Sequence, residues 1–206
     1  MDQFITTDRF RATVELVLMD KQNQQPILEQ STLSEQTRKD LNDNLEQYYT
    51  RVKRTISAYI IGTGLDADDL TQETFLKAFR SIDSFAGASS VYTWLYRIAK
   101  NTCIDAMRKL NTRGEKKNVE FDEELAGQAD MHTDQILERE RDHLLKKALA
   151  NLEEEMRLLI VLKHLQQMKY DEISEITGLE VGTVKSKLFR ARLQLKEELT
   201  KMGYDS

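Results

Sequence analysis

A single cysteine, Cys103, is the only thiol in the 206-residue chain, so it has neither an intrachain disulfide nor a CxxC metal site. One proline, Pro26, and eight glycines leave little material for turns. Leu, Glu, Lys, Arg and Ala dominate instead, which predicts an all-α fold. No apolar run approaches the roughly 20 residues that span a bilayer. The opening MDQFITTDRF lacks a basic segment followed by an apolar one, so the expected location is the cytoplasm. Ser/His/Asp and Cys/His arrangements, phosphate-cradling glycine loops and metal-ligand spacings are missing too, and His132, His143 and His164 are scattered. These absences argue against an enzyme, a cofactor, a metal site or a small-molecule substrate.

The net charge of −5 at first argues against nucleic acid. Exposed charges act over only ~10 Å, however, so distribution outweighs the sum. Between Val181 and Lys196 stand Lys185, Lys187, Arg190, Arg192 and Lys196 with no acid among them. Between Arg97 and Lys117, the cations Arg97, Lys100, Arg108, Lys109, Arg113, Lys116 and Lys117 face only Asp105 and Glu115. Two basic islands therefore stand in an acidic chain, the electrostatic footprint of a DNA-binding protein.

The stretch Asp66–Lys109 reads as two helices joined by a short loop. In the first helix Phe75, Ala78, Phe79 and Ile82 share a core face, opposite Asp69, Glu73, Lys77 and Arg80. In the second, Trp94, Leu95, Ile98, Ala99 and Ala106 form the expected inner stripe. Arg97, Asn101 and Arg108 lie on the other side, with Lys100 at its edge. The loop between them, Phe85 to Tyr92, places small hydroxyls and aromatic rings beside those cations. A π-face next to phosphate-neutralising charge suits single-stranded or locally opened nucleic acid. Tyr92 and Phe85 are equally readable as stacking rings or as core. Asp66, Asp68, Asp69 and Glu73 need no metal, because the helix dipole favours acids in a first turn.

The run DLTQETFLKAFR, then SFAGASS, then YTWLYRIAKNTCIDAMRK closely resembles region two of the bacterial extracytoplasmic-function sigma factors of RNA polymerase. The resemblance implies that Asp69, Gln72, Glu73, Lys77 and Arg80 face core polymerase. It also implies that Phe85, Ser89, Ser90, Tyr92, Arg97, Lys100, Asn101 and Arg108 face the promoter −10 element and help open the duplex.

Near the C-terminus, Ile173 and Ile176 line a short helix, Gly178 permits a turn, and Val184, Leu188, Ala191 and Leu195 line the next helix. That is helix-turn-helix spacing. Thr183 can cap the second helix or touch phosphate, and Lys185, Lys187, Arg190 and Arg192 point toward a groove. DEISEITGLEVGTVKSKLFRARLQL resembles region four of the same family, which implies that these residues and Ser186 read the −35 element.

The expected organisation is a poorly ordered or loosely docked extension over 1–40 and a helical domain over 41–110. A flexible linker over 111–133 then leads to a second helical domain over 134–206. The family resemblance implies core RNA polymerase and promoter DNA as partners, and an anti-sigma factor, often membrane-bound, as the inhibitor. The other reading is a stand-alone helix-turn-helix regulator, which accounts for 134–206 but not for the charged face from Asp69 to Arg80.

Overall fold

The computed structural model describes residues 28–85, 87–114 and 133–204, and the side chains among them except those of 28–34 and 133–139. The described residues form eight α-helices and no strand. These are α1 Leu28–Asp43, α2 Leu45–Tyr59, α3 Ala67–Ser81, α4 Val91–Arg113, α5 Thr133–Ala150, α6 Glu154–Ile160, α7 Tyr170–Thr177 and α8 Val181–Lys201. A 3-10 turn, Ile82–Ser84, follows α3, and a π-helical turn, Val161–Leu165, continues α6. Residues 1–27 of the expected extension and 115–132 of the expected linker, with the acids Glu120 to Glu124, lie outside the described residues. The chain divides into two compact units, Met1–Ile56 with Asp66–Ala106, and Ser57–Leu65 with Met107–Ser206.

In the first unit the extension expected over 1–40 gives way at Leu28 to helix α1. Thr37 and Leu41 of this helix are buried one turn apart, and Arg38 pairs with Asp83 at 2.7 Å. The inward residue at 37 is polar, so no apolar period marks α1 in the sequence. Helices α1 and α2 meet at Asn44, whose amide donates to the Asp40 carbonyl at 3.1 Å and to its carboxylate at 2.9 Å.

Phe75, Ala78, Phe79 and Ile82 make the core face of α3 and the turn after it, as their spacing predicts. Each large side chain so buried contributes on the order of 1.5–3 kcal/mol. On α4 the inner stripe is rotated from expectation. Leu95 and Ala99 are buried, but Tyr96, Cys103 and Met107 complete the stripe, while Trp94, Ile98 and Ala106 are only half-buried. Burial pushes the Cys103 thiol up to about 12, so it packs as a small apolar group rather than as a thiolate.

In the second unit Leu158, Leu159, Leu162, Ile173, Ile176, Val184, Leu188 and Ala191 form the core around α6, α7 and α8. Gly178 ends α7 with φ at +78°, where its N–H reaches Ser174 O at 2.8 Å. A β-carbon disfavours that left-handed backbone, so glycine sets the tight turn between the two helices. Arg157 is buried without an ion-paired carboxylate among the described residues. Its guanidinium donates to the carbonyls of Tyr59 (3.0 Å), Ile61 (2.7 Å), Ala150 (3.0 Å) and Leu152 (3.0 Å). Burial lowers its pKa, and the four carbonyls are what make a buried cation tolerable there. No described helix is long and apolar enough to cross a membrane.

Candidate polymerase and nucleic-acid interfaces

The acids at the start of α3 divide into structural and exposed groups. Asp66 caps the helix, accepting from the N–H groups of Asp68 at 2.6 Å and Asp69 at 3.0 Å. Asp68 is held by Lys53 at 2.6 Å and by the Tyr49 hydroxyl at 3.3 Å. Asp69 and Arg80 are exposed, and Gln72, Glu73 and Lys77 are half-buried on the same side of the helix. Lys77 pairs with Glu73 at 2.8 Å and donates to Thr102 Oγ1 of α4 at 3.2 Å. The five residues expected to meet polymerase thus lie along one mixed-charge face of α3.

The expected −10 residues fall into two sets. Phe85 is buried, its ring 5.1 Å from that of Trp94, so the half-exposed ring adjoining the loop is Trp94 rather than Phe85. Tyr92 carries the Arg51 guanidinium 4.2 Å above its ring, with Tyr48 at 5.5 Å and Tyr96 at 4.9 Å. Its hydroxyl receives the Tyr96 hydroxyl at 3.2 Å. Burial raises the Tyr92 pKa, so the phenol stays neutral. Ser90 Oγ accepts from Thr93 N at 3.0 Å and shares a bond with Thr93 Oγ1 at 2.9 Å, starting α4 in the manner of a helix cap. Ser89 is half-buried in the loop. Farther along α4, Arg97, Asn101 and Arg108 are exposed on one side and Lys100 is half-buried at its edge. The loop is therefore anchored at both ends by packed rings and a cap, and the cations follow it along one helix.

In the second unit the helix-turn-helix places Lys185, Ser186, Arg190 and Arg192 at the surface of α8, with Thr183 and Lys187 half-buried. Lys187 is ion-paired with Glu155, and Arg192 Nε donates to His164 Nε2 at 3.1 Å. Ser186 Oγ donates to Thr183 O at 3.0 Å. Neither Lys185 nor Arg190 pairs with a carboxylate among the described residues. Phe189, between Lys185 and Arg190 in chain order, is 61% exposed, and Leu193 one turn on is exposed too. Sequence reasoning passed over Arg51, Trp94 and Phe189. Arg51 stands outside both basic islands, and the two rings sit at core-like spacing.

Comparison with known proteins places both segments of the chain in one family. Residues 45–113 match sigma-70 region 2, and residues 142–195 match sigma-70 region 4. The ECF RNA polymerase sigma-E factor of Haemophilus influenzae is 34% identical over 172 residues, covering 79% of this chain and 88% of that protein. The protein of the same name from Escherichia coli K12 is 34% identical over 163 residues, covering 71% and 79%. Among solved structures, the sigma factor RpoE of Bartonella quintana, in complex with the anti-sigma factor NepR, superposes with a TM-score of 0.61. The two are 27% identical, and the match covers 79% of this chain and 98% of that one. CnrH, in complex with the cytosolic domain of CnrY, shares the fold with a TM-score of 0.59, over 82% of this chain and 96% of that one.

Proposed function

The chain belongs to the extracytoplasmic-function branch of the sigma-70 family, and on that premise we propose how its residues divide the work. It is an alternative sigma factor, a non-enzymatic protein that binds core RNA polymerase and directs promoter-specific initiation. The observation that carries this is the presence of both sigma regions, in order, in one chain that is 34% identical to sigma-E factors.

In our reading, residues 41–110 engage polymerase and the −10 element, 111–133 tether, and 134–206 read the −35 element. A tether raises the effective concentration of each DNA-reading part for the other. Asp69, Gln72, Glu73, Lys77 and Arg80 present the polymerase face. Arg97, Lys100, Asn101 and Arg108 neutralise the backbone of opened −10 DNA, beside the loop that ends in Ser89 and Ser90. Phe85 supports that loop from beneath, and Tyr92 offers its ring when Arg51 moves off it. Thr183, Lys185, Ser186, Lys187, Arg190 and Arg192 line the helix that enters the major groove. The protein works in the cytoplasm, and an anti-sigma factor of the kind bound to its structural relatives holds it inactive.

Run-off transcription with purified core polymerase, with and without the chain, on a pool of genomic promoter fragments tests this. Transcripts that depend on the added chain are expected, and reversal of charge at Asp69 and Glu73 to lysine is expected to abolish them together with polymerase association. DNA binding without any chain-dependent transcript would move the assignment to a stand-alone regulator.

A further inference from the structure

Helix α1 is tied to both ends of the loop that joins α3 to α4. Ahead of the loop, the 3-10 turn Ile82–Ser84 packs against α1, and Arg38 Nη2 donates to Asp83 Oδ1 at 2.7 Å, two residues before Phe85. The Arg38 side chain is mostly enclosed, its buried Nε has no hydrogen-bond partner among the described residues, and the Asp83 carboxylate is half exposed. After the loop, the tie runs through one intermediary. Asp40 Oδ2 accepts from the Tyr48 hydroxyl at 2.8 Å, and the Tyr48 ring lies 5.5 Å from that of Tyr92 in the first turn of α4. Burial, then the bond to Asp40, push the Tyr48 phenol up to about 12, so it stays a donor. The other Asp40 oxygen accepts from Asn44 Nδ2 at 2.9 Å, which fixes the carboxylate. One helix can reach both ends because of its spacing. Thr37 and Leu41 point into the core, and Arg38 and Asp40 flank that stripe on opposite sides.

We propose that α1 is a positioning element for the −10 loop, with Arg38 setting the entry to the loop through Asp83, and Asp40 setting its exit through Tyr48 and Tyr92. This rests on the −10 reading of the loop and gives a role to a helix that precedes residues 45–113, the match to sigma-70 region 2. Arg38 and Asp40 act through their partners and need not touch DNA. A loop held at both ends before the strand arrives loses less freedom on binding, which strengthens binding to the strand it fits. Because Asp83 is half exposed, its ion pair is screened, and the effect of breaking it is several-fold rather than complete.

The test uses the full chain bound to core polymerase and a labelled single strand carrying the −10 element of a promoter it transcribes, with a scrambled strand beside it. The readout is the ratio of the two affinities, which cancels any charge added near the backbone. Arg38→Asp and Asp83→Arg are each expected to lower that ratio several-fold, and the double variant with the charges exchanged to recover most of it. Asp40→Ala is expected to lower it in the same way, and Tyr48→Phe, which keeps the ring and loses the bond, to a smaller extent. Binding to a −35 duplex and the urea midpoint read from Trp94 fluorescence serve as controls, and both are expected to hold in Tyr48→Phe and in the exchanged pair. An unchanged ratio in Arg38→Asp and Asp40→Ala overturns the proposal. So does an exchanged pair no better than its single variants, or a loss on the −35 duplex equal to that on the −10 strand. A wild-type chain that does not prefer the −10 strand over the scrambled one overturns the −10 reading itself, and that outcome is separate because it precedes any substitution.

Discussion

In the first unit the rings around the candidate DNA surface are packed on one another: Phe85 on Trp94, and Tyr92 among Arg51, Tyr48 and Tyr96. In the second unit the candidate surface is a helix whose outer side carries Lys185, Arg190 and an uncovered Phe189. The difference follows the two forms of DNA that sigma factors meet. Opened −10 DNA presents unstacked bases, which call for π-surface held ready. Duplex −35 DNA presents a groove between charged strands, which calls for a straight helix and cations. On the proposed reading, Arg51 has to leave the Tyr92 ring before that ring stacks on a base, whereas Lys185 and Arg190 of α8 carry no carboxylate partner among the described residues.

The largest expected effect separates the two units by stability. Phe79 is fully buried in the first unit, and its truncation to alanine should cost about 3–5 kcal/mol. Trp94, the only tryptophan, lies in that unit and reports on it alone. Its fluorescence transition in urea is expected to move to lower denaturant in Phe79→Ala, while the ellipticity from the second unit melts where it did. A shared shift of both signals would show that the units unfold as one.

A smaller effect sharpens the account of the second unit. Arg190 is without a carboxylate partner among the described residues, and Lys187 is bound to Glu155. Arg190→Ala should weaken binding to a −35 duplex by about 1–3 kcal/mol, read by fluorescence anisotropy. Lys187→Ala should cost under ~1 kcal/mol, because its charge is already answered within the protein. Equal losses from the two would remove the distinction between engaged and unengaged cations on α8.

The smallest effect concerns pH. Partial burial, then the charges of Arg192 and Lys163, hold the His164 imidazole below its ordinary value of 6.5. As pH falls past 6.5 the unfolded chain takes up this proton before the folded one, so stability present above 6.5 is lost on acidification through the lowered folded value. A modest fall in the urea midpoint of the second unit below that pH is expected, and His164→Gln should flatten it. An unchanged slope in the variant would remove His164 as the cause.

Most of the helical frame was legible because its signals are local. The period of Phe75, Ala78, Phe79 and Ile82, the acids at the start of α3, and the spacing from Ile173 through Gly178 to Val184 each depend on neighbours within a few turns. Helix α1 was not legible, since its inward residue at 37 is a threonine and its docking rests on Thr37, Leu41 and the Arg38–Asp83 pair 45 residues apart. The rotation of the inner stripe on α4 toward Tyr96 was hidden for a similar reason. Tyrosine suits either environment, and only the facing helices choose between them.

The sequence alone determined the all-α class, the two basic islands in an acidic chain, and the family, because composition, charge order and motif spacing are carried by consecutive residues. The tertiary structure decided which of those residues are engaged and which are available. It buried Phe85, set Arg51 over the half-buried Tyr92 ring, tied Lys187 to Glu155 and Arg192 to His164, buried Arg157 among four carbonyls, and brought Lys163 and Lys185 to one ring. These pairings join residues far apart in the chain. Their energies arise from burial and from the distance between charges, and no local pattern encodes either quantity.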